Sequence, residues 1–284
     1  MDLKQINNKV KPAKLKPIED LSNELNFLIR YSSSFISMLS YNFFKMNKLL
    51  YWLKALPAGL AIKIRLYRTF TKWLKIPMGF YFSQTGEDII IYNFFGDVKE
   101  GFYVDAGCHE PIKWSNTFKL YLQGWTGINI DADSTMLKKV SKTRKLDINI
   151  CAALSDSVKK VTFYKSATFP AVNTISTETY DQWKQRWDFD DKDREELTTT
   201  TLTKVLEEHL PAGKKIDLLS VDVEGHDVEV IRGLDLKKYR PKLIVAECHE
   251  LDTFIQGDLY RHLTDNHYKL MGFATMNVYF RDIQ

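Results

Sequence analysis

The chain has 284 residues, 44% of them hydrophobic and 13% aromatic, with 40 Lys plus Arg against 36 Asp plus Glu. It is long enough to bury one substantial core, and collagen-like, low-complexity and wholly disordered classes are excluded. The net charge of +4 hides a split: residues 1–80 hold 14 basic and 4 acidic residues, a net of +10, while residues 81–284 hold the other 26 and 32, a net of −6.

Residues 1–79 read as a basic helical arm in front of an acidic body. The first 20 residues are polar and lysine-rich with no apolar h-region, so no secretory signal is expected. Apolar residues then recur at spacings of three or four from Leu21 to Leu53, which is helical, until Pro57 interrupts. In a second stretch Leu60, Ile64, Tyr67, Phe70 and Leu74 share one face and Lys63, Arg65, Arg68, Lys72 and Lys75 occupy the rest, up to Pro77 and Gly79. The longest uncharged run, residues 31–44, has 14 residues with five serines among them, short of the roughly 18 apolar residues a membrane helix needs. Three readings stay open for the basic helix. It packs on the body or a partner subunit, it docks residues 21–76 on a membrane surface through its cations and Trp52 and Trp73, or it binds nucleic acid. Three scattered cysteines, Cys108, Cys151 and Cys248, give neither a disulfide framework nor a four-thiolate zinc site and point to a cytoplasmic setting.

From residue 80 to 284 short β-branched and aromatic runs alternate with helical patterns. Strands are expected over 102–108, 127–131, 148–154, 161–165, 216–222, 243–248, 268–274 and 277–281. Helices are expected over 86–95, 115–123, 134–142, 202–209, 226–234 and 253–266. This alternation implies an α/β domain with a mainly parallel sheet covered on both faces, and the closely spaced last two strands imply a terminal antiparallel hairpin. Residues 166–201 break the pattern and read as an insertion that lids or walls a site.

Ligands of open α/β sheets bind beyond the carboxyl ends of the strands. There the first strand runs into Asp105-Ala106-Gly107-Cys108-His109, the second into Asp131, a later one into Asp222-Val223-Glu224-Gly225-His226, and the next into Glu247-Cys248-His249. A strand, a Gly turn, a helix and an acidic residue at the second strand end is the layout that holds an adenosine-containing cofactor, with Asp131 on the ribose hydroxyls. Neither GxGxxG nor GxxxxGK[ST] is present, so a pyrophosphate finds no cradle. S-adenosylmethionine, which has ribose and adenine but no phosphate, fits better. His109 is a site candidate because its loop must pass the ligand.

Seven segments, in order and at compatible spacing from about residue 80 to 250, carry a resemblance. They are Phe82-Ser83-Gln84-Thr85-Gly86-Glu87-Asp88, residues 101–111, Ser115-Asn116-Thr117, residues 124–131, Asp147-Ile148-Asn149, Asp222-Val223-Glu224-Gly225 and Tyr239-Arg240-Pro241-Lys242. Together they resemble the FkbM family of S-adenosylmethionine-dependent methyltransferases. The resemblance implies a seven-stranded Rossmann-like domain and an O-methyltransferase acting on a hydroxyl of a sugar, glycan or polyketide-type product. It places Asp105 and Gly107 at the methionine end of the cofactor, Asp131 at the ribose, and Ala153, Leu154 and Ser155 near the adenine. Gln84, Glu87 and Asn116 would cover the methionine carboxylate or amine. Cys108 stands where the family more often has Ala, a change that would expose the site to thiol reagents.

Methyl transfer requires an acceptor oxygen aligned opposite sulfur and a group that removes its proton. Asp222 is the first candidate, as base or metal ligand; its bland alternative is a helix N-cap, and that of Glu224 is a buried structural contact. Asp222, Glu224 and His226 share one face if the strand continues through them. His226 and His249 suit proton transfer near neutral pH but read equally as surface or packing residues. Asp222, Glu247 and His249 form a candidate divalent-metal set. Trp114, Trp183 and Trp187 either stack on sugar faces or build the core of the insertion. Nucleic acid is not the expected substrate, because no [DN]PP[YF] loop occurs and the body is acidic. The alternative from another class is an inactive binding or scaffold protein on the same fold.

Overall fold

The computed structural model describes residues 55–73, 81–96, 98–189 and 194–284, all within the unit Trp52–Gln284. The expected lead-in and first helix of the arm, up to residue 54, lie outside the described residues. The second arm helix forms as α1 (Ala58–Trp73). The residues leading into it are anchored: Ala55 and Leu56 are buried, and the Tyr121 hydroxyl donates to the Ala55 carbonyl at 2.7 Å.

The chain continues as α2 (Glu87–Phe95), β1 (Phe102–Ala106), α3 (Phe118–Tyr121), β2 (Thr126–Asp131), α4 (Ser134–Thr143), β3 (Ile148–Cys151), β4 (Ala153–Leu154), β5 (Lys160–Phe163) and α5 (Thr177–Trp183). It ends as β6 (Glu195–Thr200), α6 (Leu202–His209), β7 (Leu218–Val221), α7 (Asp227–Arg232), β8 (Leu243–Glu247), α8 (Leu251–Phe254), α9 (Asp258–Asp265), β9 (Tyr268–Ala274) and β10 (Asn277–Asp282). Seven strands form one sheet in the order β3-β2-β1-β7-β8-β10-β9. The first five are parallel, and β10 runs antiparallel to both β8 and β9. Strand order reverses beside β1, so the crevice beyond β1 and β7 is the topological switch point of the sheet.

The pleat of β1 separates two environments. Phe102, Val104 and Ala106 enter an apolar layer with Leu206 of α6, Ile231 of α7 and Leu263 of α9. Tyr103 and Asp105, one residue out of phase, face the other side of the sheet. There Arg144, which caps the carboxyl end of α4 and is fully buried, fills the space. Its guanidinium donates to the Pro111 carbonyl at 3.0 Å, to Thr117 Oγ1 at 2.6 Å, to Asn129 Oδ1 at 3.1 Å and to Ser115 Oγ, and lies 3.9 Å from Asp105 Oδ2. Asp147 completes the network, accepting from Gly127 N at 2.9 Å, from Asn129 Nδ2 at 3.0 Å and from the Tyr103 hydroxyl.

The structure departs from the sequence-based elements in four places, the first being α5, a helix inside the expected insertion. The strand expected over 148–154 divides at Ala152, whose N–H donates to the Asp131 carbonyl at 3.0 Å. β4 then leaves the large sheet to pair with β6, and β6 pairs with β5, in a second sheet. The threonine-rich end of the expected insertion therefore forms a strand, β6, as its β-branched residues favour. The helix expected over 253–266 breaks at Gly257, which caps α9.

Candidate active site

A cavity of about 560 Å³ opens beyond the carboxyl ends of the parallel strands, within the usual range for small-molecule sites. Its walls come from the turns after β1, β2, β7 and β8, from β4, from the start of β10, from Gln84 and Glu87, and from residues 169–175, 183, 186 and 187 of the insertion. The chain must turn sharply at these strand ends. Of the five non-glycine residues with positive φ among the described residues, three line the cavity: His109 at 43°, Trp114 at 58° and Glu224 at 56°. Such conformations collect where function over-determines the backbone. Gly107 is required for a steric reason, since its φ is +84° and a Cβ there would sit 1.7 Å from the Asp222 carbonyl oxygen. This contact brings the β1 and β7 turns together.

On one side of the cavity Asp131 is held by two backbone donors, His109 N at 2.8 Å and Asp133 N at 2.7 Å. Burial pushes its carboxyl up to about 6 against the pull of those bonds. Ala152, Ala153 and Leu154 form the adjoining wall. Near α2, burial raises the Glu87 carboxyl, but hydrogen bonds from Thr85 outweigh it and hold the group below its usual range. Asn116 reaches the cavity while donating to Ser220 Oγ at 3.2 Å.

On the other side Asp222, Glu224, Glu247 and His249 line the wall. Glu224 and Gly225 both adopt left-handed backbone, and Thr174 Oγ1 clasps this turn by donating to the Glu224 carbonyl at 2.8 Å. His249 Nε2 lies 3.3 Å from Glu247 Oε1. Aromatic groups close the mouth: Phe169 stacks on Trp187 with centroids 4.7 Å apart and meets Trp114 edge-on at 5.6 Å.

Gln84, Glu87, Gly107, His109, Asn116, Asp131, Ala153, Leu154, Asp222, Glu224, Glu247 and His249 therefore surround one space. Three expected site residues do not line it. The Asp105 carboxylate accepts from Thr117 Oγ1 at 2.5 Å and faces Arg144, because the pleat of β1 turns it to the buried polar side. Ser155 is buried with its N–H donating to the Thr200 carbonyl, following β4 into the second sheet. His226 does not stay in phase with Asp222: the left-handed turn at Glu224-Gly225 breaks the extended period and directs its Nε2 to Ser155 Oγ at 2.9 Å. His226, not Asp222, occupies the N-cap position of α7, so the capping alternative for Asp222 falls. Geometry also exchanges one member of the expected metal set, for the carboxylates that converge are Asp222, Glu224 and Glu247, without His249. Cys108 is 4% exposed and burial pushes its thiol well up, so the expected sensitivity to thiol reagents is withdrawn. Sequence reasoning missed Asn277 and Thr174; Asn277 carried a signal, as a polar residue opening a strand, and Thr174 carried none.

A seven-stranded sheet in this order, closed by an antiparallel strand and opening on a cavity at its switch point, defines a Rossmann-like methyltransferase fold. The family described as methyltransferase FkbM domain matches residues 105–282, and the chain belongs to it. No curated protein matches the chain.

Proposed function

We propose that this protein is an S-adenosylmethionine-dependent O-methyltransferase whose acceptor is a hydroxyl of a sugar, glycan or related small molecule. One observation carries the reading: Asp131, at the end of β2, and Asp222 and His249, beyond β7 and β8, line the same cavity. The residues fit the cofactor. Asp131 presents a carboxylate for two ribose hydroxyls, the Gly107 turn admits no side chain, Ala153 and Leu154 offer an apolar wall for adenine, and Glu87 offers a buried acceptor to an ammonium group. When bound, S-adenosylmethionine supplies a methyl group on a sulfonium.

The chain's own residues align and deprotonate the acceptor. An aliphatic hydroxyl needs its proton removed as oxygen approaches the methyl carbon. Held by Asp131, Glu87 and the Gly107 turn, the cofactor would supply an electrophilic methyl carbon whose leaving group keeps its electron pair, so the acceptor's proton is what the chain must take up. His249 receives the proton, and Glu247 at 3.3 Å stabilises the resulting imidazolium. Stacked Phe169 and Trp187, with Trp114, offer flat apolar faces suited to a sugar ring.

Calorimetry with S-adenosylmethionine, followed by mass spectrometry of a hydroxylated sugar panel, tests the reading. Saturable heat and a product heavier by one methylene are expected. The absence of saturable heat would leave the inactive scaffold in its place.

The membrane contact of the arm is part of the same proposal. In α1, Ile62, Leu66 and Phe70 recur every four residues and are exposed, beside exposed Lys63 and Arg65. No acidic residue occurs between Glu24 and Glu87. Among the described residues no helix is long and apolar enough to cross a membrane; the contact proposed is a peripheral one. Co-sedimentation with anionic but not neutral vesicles, lost in Leu66→Glu, is the expected result.

A further inference from the structure

β7 and β8 are parallel neighbours in register, Val221 beside Ala246, so their ends deliver carboxylates side by side. One oxygen from each of Asp222, Glu224 and Glu247 lies within 4.8 Å of the others. Burial pushes all three carboxyls above the ordinary range, and neighbouring negative charge adds to this at Asp222 and Glu224. Among the described residues the one ion pair any of them makes is that of Glu247 with His249. Three carboxylates this close in a partly dehydrated space repel one another unless protons or a cation intervene.

Two further atoms point to a cation. Asp222 Oδ1 is buried and has no hydrogen-bond partner. Asn277, only 6% exposed, stands directly opposite Glu247 in the β8–β10 ladder and lines the same cavity; directly opposed residues share a face of the sheet. Its Nδ2 donates to Glu87 Oε1 at 3.4 Å, which leaves Oδ1 buried and without a partner. The resulting donor set is all oxygen, three carboxylates and an amide carbonyl, which suits Mg²⁺, Mn²⁺ or Ca²⁺ rather than a soft metal.

We propose that Asp222, Glu224 and Glu247, joined by the amide oxygen of Asn277, bind one hard divalent cation at the acceptor end of the cavity. There the cation takes the acceptor hydroxyl as a ligand and favours its alkoxide, and His249, outside the donor set, receives the proton. This chemical role rests on the methyl-transfer reading; the binding site itself does not.

The probe is Mn²⁺, titrated into the full chain after chelator treatment, without cofactor, and followed by loss of the free-ion electron paramagnetic resonance signal. One saturable site per chain is expected. Asp222→Asn and Glu247→Gln, both near-isosteric, weaken it at least tenfold, Asn277→Asp tightens it, and the surface variant Asp258→Asn leaves it unchanged. Circular dichroism and the S-adenosylmethionine heat confirm that each variant is folded. No saturable site up to about 1 mM, or equal affinity in wild type and folded Glu247→Gln, overturns the proposal. A cofactor heat without a Mn²⁺ site removes the cation alone, and a Mn²⁺ site without a cofactor heat removes the methyl-transfer reading alone.

Discussion

Two groups of charges lie along the central strands, one around the buried Asp105 and Arg144 and one of half-buried carboxylates, and they differ in how they are satisfied. Beneath β1 and β2, Asp105 and Asp147 share their space with Arg144, whose guanidinium reaches four oxygens within 3.1 Å. Beyond β7 and β8, Asp222, Glu224 and Glu247 converge with a lone imidazole at the rim and with Asp222 Oδ1 unpartnered. Burying a charge is tolerated when the fold itself supplies the counter-charge and hydrogen bonds. The first group meets that condition internally and is closed to ligands. The second leaves it to be met from outside, which is why the reactive side of the cavity belongs there and not at Asp105.

Breaking the first group has the largest expected effect. Arg144→Met strands the buried Asp105 and the half-buried Asp147, and urea unfolding should show a loss of about 3–5 kcal/mol; a loss under about 1 kcal/mol would mean the network is no tighter than a surface pair. Next comes the contrast between imidazoles. His249→Ala should lower kcat about 100-fold or more with little change in cofactor affinity, whereas His226→Ala, directed to Ser155, should leave kcat within about twofold of wild type. Equal losses in both would return His226 to the catalytic group.

The carboxylates then sharpen the comparison through pH. Asp131 titrates at about 6, so cofactor affinity measured by calorimetry should weaken as pH falls below about 6 and should lose that dependence in Asp131→Asn. Asp222 has a folded pKa raised above its ordinary 3.8 by burial first and then by the Glu247 charge. The stability its carboxyl contributes is therefore complete below about pH 4 and is lost as pH rises. In thermal melts Asp222→Asn should gain on wild type from about pH 4 upward, and added Mn²⁺ should close the gap. A gap independent of pH would place Asp222 in a site that already satisfies its carboxylate.

Much of this was readable without coordinates. The alternation of short β-branched runs with amphipathic helices, the Gly107 turn, Asp131 at the second strand end and the ordered motifs of residues 80–250 are local patterns, set by pleat, periodicity and backbone sterics acting over a few residues. Arg144 was not readable, because it sits among Lys138, Lys139, Lys142 and Lys145 and nothing nearby in the chain distinguishes a buried cation from solvated ones. Nor was the departure of His226, which follows from two left-handed residues clasped by Thr174 of the insertion. The sequence by itself determined the layered α/β architecture, the family and the strand ends at which chemistry can occur. Only the tertiary structure decided which carboxylates are neutralised by the fold and which await a ligand, because pairing in a low-dielectric interior depends on groups a few ångströms apart that topology, not chain order, brings together.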